Sequence, residues 1–149
     1  MDDLVQGRLD AFALEVAREC EGHATINRGE LSGIRFLDVE PTSTRALRFS
    51  WIEYGGDGDG ALQLQAGHHG GRWELEATME DVQFIEDVAR AVIAGRVVET
   101  FGPKRSLVEV TLLNGEVVRE TGYDAVRGLI PMPGWRRRGR RVVYAPYRH

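Results

Sequence analysis

The sequence predicts an α+β fold: one two-layer domain over residues 1–149, a mostly antiparallel sheet of about seven or eight strands with two helices on one face. The expected order is α, four strands, α, then three or four strands. Three observations predict it. Two segments, near residues 3–20 and 78–92, repeat apolar residues every three to four positions, as amphipathic helices do. Much of the remaining chain is short runs in which apolar and polar residues alternate, and a sheet with one wet face favours antiparallel pairing. Turn signals such as Asn114-Gly115 separate the runs, and 149 residues at 42% hydrophobic content can bury one sizeable core.

The first helix is expected from about Asp3 to Cys20, with Val5, Leu9, Phe12, Val16 and Cys20 forming its buried stripe. "EGHATINRGELSG" reads as a loop. "GIRFLDV" reads as a strand ended by Pro41, and "RALRFSWIEY" as a strand whose Leu47, Phe49 and Trp51 face the core. "GGDGDG" is a turn. "ALQLQAG" and "RWELEA" are two further strands, joined through "GHHGG". The second helix carries the clearest boundary signals: Thr78 as N-cap, acids in the first turn, a stripe of Val82, Ile85, Val88, Ala89 and Val92, and Gly95 as the stop. "RVVETF" follows as a strand, then "SLVEVTLLNGEVVRET" as a hairpin. A two-residue Asn114-Gly115 turn sets Glu109 directly opposite Glu120, a like-charge pair that needs a cation, for which Arg105 or an arginine of 136–141 is the expected source. "RRVVYAPY" is expected to be the last strand, reached through the turn "PMPGW".

Composition removes several classes of function. No run approaches the roughly 18 apolar residues of a membrane span, and the acidic start "MDDLVQGRLD" does not resemble a secretory signal, so a cytoplasmic protein without a membrane partner is expected. Cys20 is the only cysteine, which rules out an internal disulfide and a multi-cysteine zinc site. On a buried helix stripe it is an inert thiol. Eighteen arginines accompany a single lysine, Lys104, a bias typical of a GC-rich, bacterial coding sequence. G-x-S-x-G, P-loop and dinucleotide fingerprints are missing, so no catalytic residue is assigned and the protein is expected to be a non-enzyme. No metal or cofactor is expected either. His68 and His69 would point to opposite faces, and "DGDG" at Asp57 to Gly60 lacks the later ligands of a calcium loop.

What remains is charge and the C-terminal end. Residues 1–100 hold 9 Arg against 19 Asp+Glu, whereas 101–149 hold 10 Lys+Arg against 4 Asp+Glu. The basic half ends in Trp135, Arg136, Arg137, Arg138, Arg140, Arg141, Tyr144 and Tyr147, a set of residue types enriched as anchors of protein interfaces. The plainest reading leaves these arginines solvated or paired with the chain's own acid, and tucks Met132 and Trp135 under the sheet edge. As a function, a non-catalytic protein-binding module with an unknown protein partner is expected, of which an immunity-type or inhibitor protein is one form. A small ligand-binding protein or enzyme is the alternative, with a pocket between helix and sheet around Trp51, Tyr54 and His68. Nucleic-acid binding through the arginine cluster ranks last, because the whole chain is acidic at a formal net charge of −4. Homodimerisation through an edge strand is compatible with each.

Overall fold

The computed structural model describes residues 1–55, 60–124 and 126–148. "GGDGDG" therefore lies largely outside the described residues, including Asp57 and Asp59 of the calcium-like "DGDG". Helix α1 (Asp3–Glu19) is followed by a five-stranded antiparallel meander: β1 (Ala24–Leu31), β2 (Ile34–Pro41), β3 (Phe49–Tyr54), β4 (Ala61–Gln65) and β5 (Arg72–Glu76). Helix α2 (Met79–Ile93) leads into β6 (Val97–Gly102), β7 (Arg105–Thr111) and β8 (Val117–Tyr123). After a 3₁₀ turn (Val126–Leu129) and the single-turn helix α3 (Trp135–Arg138), β9 (Arg140–Val143) completes a second antiparallel sheet in the order β8-β7-β6-β9.

The α+β class is as the sequence predicts, but nine strands form two sheets where one was expected. The helix α2 explains the difference. Val82, Ile85, Val88, Ala89, Ala91 and Val92 are all buried, so apolar groups cover more of its circumference than one stripe. It packs on α1, on β3 and on β7, and a helix buried on several sides needs a layer on each. Its N-cap is the expected one, with Thr78 Oγ1 accepting from the Asp81 N–H at 3.2 Å.

Two local expectations are corrected. "ATINRGEL" is the edge strand β1, paired to β2 along its length through a tight turn in which Ser32 and Gly33 both have positive φ (53° and 79°). This is the geometry of the two-residue hairpin turn whose twist suits its strands. The hairpin after β7 takes three loop residues instead of two: the Gly115 N–H donates to Leu112 C=O, the Leu112 N–H donates to Glu116 C=O, and Gly115 has φ 93°. The extra residue shifts the register by one, so Glu109 faces Arg119 and is bonded to it at 3.0 Å, while Glu120 faces Val108. No like-charge pair forms, and Arg105 is not needed there.

The chain end returns to the core. The Ala145 N–H donates to Arg45 C=O, the Tyr147 N–H to Ile93 C=O, and the Tyr147 hydroxyl to Leu47 C=O. The last strand accordingly ends at Val143 and does not extend through "YAPY".

Candidate functional site

The most distinctive surface is built on the segment between β8 and β9. Its foundation is Arg105, a residue only 3% exposed at the start of β7. Arg105 Nε donates to Pro103 C=O at 2.8 Å and Nη2 to Ile130 C=O at 2.7 Å, and its guanidinium lies 5.5 Å from the centre of the Tyr123 ring. A buried guanidinium satisfied by carbonyls fixes the path of the loop without any carboxylate. Beyond it the chain turns at Pro131 to Gly134, the Trp135 N–H donates to Met132 C=O, and Arg138 Nη2 donates to Pro133 C=O at 2.7 Å.

Trp135 lands half-buried with its ring against Gly102, where a side chain of any size would collide with it. The ring stands as a ridge between two hollows. One, of about 640 Å³, has Tyr123, Leu129, Met132, Arg136 and Arg137 among its walls. The other, of about 460 Å³, lies toward Phe101, Pro103, Arg138 and Arg140. Tyr123, Leu129, Ile130 and Met132 are large apolar side chains left exposed here, so Met132 is not tucked under the sheet.

All five arginines expected at this end, Arg136, Arg137, Arg138, Arg140 and Arg141, are exposed. None makes an ion pair among the described residues; the carboxylate partners go to Arg8, Arg28, Arg35, Arg48, Arg90 and Arg119 instead. Among the described residues the terminal arginines are thus solvent-exposed and not paired with the chain's own acid. Arg136 lies over Trp135 at 5.6 Å and donates to Thr121 Oγ1, and Arg140 lies over Phe101 at 4.8 Å.

The two tyrosines are placed differently. Tyr144 is half-buried and its hydroxyl donates to Glu99 Oε1 at 2.6 Å; burial first, then that carboxylate, push its pKa upward. Tyr147 is 1% exposed and belongs to the core, against Phe49. Neither shares the surface of Trp135, because the strand ends before them and the chain dives inward.

Trp51, Tyr54 and His68 do not converge on one hollow. Trp51 is sealed beneath Phe12, whereas Tyr54, three residues on and so on the opposite face of β3, donates to Gln63. His68 is exposed in the β4–β5 loop, beside a shallow cleft of about 400 Å³ near Ser43, Arg48 and Tyr144. Being in a loop, His68 and His69 hold their rings 4.4 Å apart, not on opposite faces; among the described residues no group of three potential ligands surrounds them. Cys20 is buried, and burial together with Glu19 pushes its thiol up to about 11, which removes it as a nucleophile.

Two buried carboxylates, Glu53 and Glu99, are absent from the sequence reading. Glu53 accepts from Trp51 Nε1 at 2.9 Å, Gln6 Nε2 at 2.7 Å and the Arg28 guanidinium, tying α1 to the meander. Glu99 accepts from neutral donors: the His68 N–H at 2.7 Å, Ser106 Oγ at 2.6 Å and Tyr144. Ser106 Oγ in turn accepts from the His69 and Gly70 N–H groups. Alternation carried a signal for Glu53, which is in phase with Phe49 and Trp51. Both carboxylates have every hydrogen bond they need, as no buried side-chain polar atom lacks a partner among the described residues. They hold the scaffold together. No helix among the described residues is long and apolar enough to cross a membrane. No protein-family model, curated protein sequence or solved structure matches this chain.

Proposed function

We propose that this protein is a non-catalytic protein-binding module whose partner presents an acidic surface to the ridge of Trp135 and the arginines around it. One observation carries the reading: four exposed guanidiniums, those of Arg136, Arg137, Arg138 and Arg140, line the hollows on either side of a half-buried tryptophan beside exposed apolar side chains, and none has a carboxylate partner among the described residues. Arginine and tryptophan are the side chains most often found at the energetic centre of protein interfaces, and unpaired surface charge speeds the encounter with a complementary partner. The overall charge of −4 repels a polyanionic nucleic acid along its whole length, and a protein whose acid is confined to one patch far less.

The test is capture from nuclease-treated extract of the native host, run side by side with wild type and with R136A/R137A/R138A. The three side chains are exposed, so the variant is expected to keep its fold by circular dichroism. A stoichiometric acidic protein held by wild type, lost from the variant and released by salt is the expected result. The same protein on both baits, nucleic acid as the only retained material, or an empty wild-type bait would each overturn the reading.

A further inference from the structure

A second surface, opposite in charge, lies where the two sheets meet. Each sheet ends there: β5 pairs only with β4, and β8 only with β7. The two strands approach each other at the start of β5, where the N–H of Gly71, just before the strand, donates to Glu120 C=O at 3.3 Å. At the far end of β5 the Glu76 N–H is taken by Asp81 Oδ2 at 2.7 Å. Between these pins, no backbone hydrogen bond joins β5 to β8 among the described residues. The strands diverge, and a groove of about 630 Å³ opens above α2.

The groove has an apolar floor and an acidic rim. Trp73, Leu75, Phe84 and Val118 line it, all partly buried, with the Trp73 and Phe84 rings edge to face at 5.6 Å. Glu80, Asp87 and Glu116 stand on the rim and make no ion pair among the described residues. Arg119, the cation of the lining, is already bonded to Glu109.

The geometry points to this seam as the seat of an extended, lysine- or arginine-bearing segment of a partner protein, added as a strand to the open edge of β5 or β8. Three features select that occupant. Unpaired strand edges are templates for a further strand, and main-chain bonds to an edge supply affinity independent of side-chain sequence. The open stretch is about four residues, or ~13 Å at about 3.3 Å per residue, which is a strand-sized gap. Carboxylates above aromatic faces favour cationic side chains through both charge-assisted hydrogen bonds and ring quadrupoles. A second copy's β5 would bring Glu74 and Glu76 against the same rim and be repelled. The inference stands apart from the arginine ridge and does not depend on it.

The probe is a short, blocked peptide of alternating lysine and valine, titrated by calorimetry, with a glutamate–valine peptide as control. The lysine peptide is expected to bind, the control not, and the amides of residues 72–75 or 117–119 to gain protection from hydrogen exchange. Glu80→Lys with Glu116→Lys, both at exposed positions, is expected to weaken binding about tenfold or more. R136A/R137A/R138A is expected to leave it unchanged. The inference fails if the lysine peptide does not bind, if both peptides bind alike, if charge reversal has no effect, or if protection appears elsewhere. It also fails if sedimentation shows a dimer without peptide that the same reversal dissociates, since the seam then belongs to a second copy.

Discussion

One end of β8 lies under a cationic surface mounted on a loop, and the other borders an acidic groove mounted on two sheets and a helix. Arg136 reaches Thr121 near the first end; Val118 and Arg119 line the groove at the second. Both surfaces set an aromatic side chain among charges mostly of one sign, Trp135 among arginines and Trp73 among carboxylates with Arg119 as the single cation of the lining. They differ in what holds them. The ridge depends on Arg105 and a few turn hydrogen bonds, whereas the seam depends on the closeness of elements far apart in the chain. A surface carried by a loop tolerates change in its own side chains, and a surface carried by packed elements does not.

The largest expected effect is at the closed end of the seam. A Cβ on Gly122 would lie 1.8 Å from the His69 carbonyl oxygen, backbone against backbone. Gly122→Ala is expected to cost about 3 kcal/mol or more in denaturant unfolding, as overpacking with no flexible group to yield does. Wild-type stability in that variant would mean the pin is loose and the comparison false.

Arg105→Ala comes next, at about 2 kcal/mol, because the Pro103 and Ile130 carbonyls lose their donor and Tyr123 its cation. The sharper readout is proteolysis: cleavage between Tyr123 and Trp135 is expected to quicken while the seam stays protected. Equal acceleration at both would show that the two surfaces share one cooperative unit.

The smallest effect concerns Glu120, whose carboxyl pKa is raised by burial beside Val108. A raised folded pKa favours the protonated form, so its contribution is present below the unfolded value of about 4.3 and lost as pH rises through the folded value. Glu120→Gln is expected to stabilise the protein at pH 7 by about half a kcal/mol or less, given partial exposure, and to be neutral in thermal melts near pH 4. Destabilisation at pH 7 would mean that the carboxylate has a cationic partner.

The helices were legible because period and caps are local, as Thr78 and the α2 stripe illustrate. Strand β1 was not, since an edge strand meets the core with few residues and "ATINRGEL" offers little apolar alternation. Period-two alternation says which residues share a face but not how many sheets they form; the consecutive buried Ala91, Val92 and Ile93 carried the hint that α2 is enclosed. Asn-Gly fits a two-residue turn and a three-residue turn with a bulge equally well, and the register of Glu109 hinged on that difference. At the ridge, composition identified the arginines and Trp135. It misplaced Tyr147, because nothing local distinguishes a strand that continues from a chain that turns into the core. The seam was invisible, being made where β5 and β8, separated by a helix and two strands, end their respective sheets.

The loop clamped by Glu99 and Ser106 has a bearing on how this protein's evolution should be read. Gly70 and Gly71 are buried, and added side chains at either, or at Gly122, would meet backbone atoms within 2.6 Å. Lineages that keep this fold will keep those glycines even if their partners differ. The exposed arginines carry no such backbone constraint. Invariance at those glycines will mark the scaffold rather than a function.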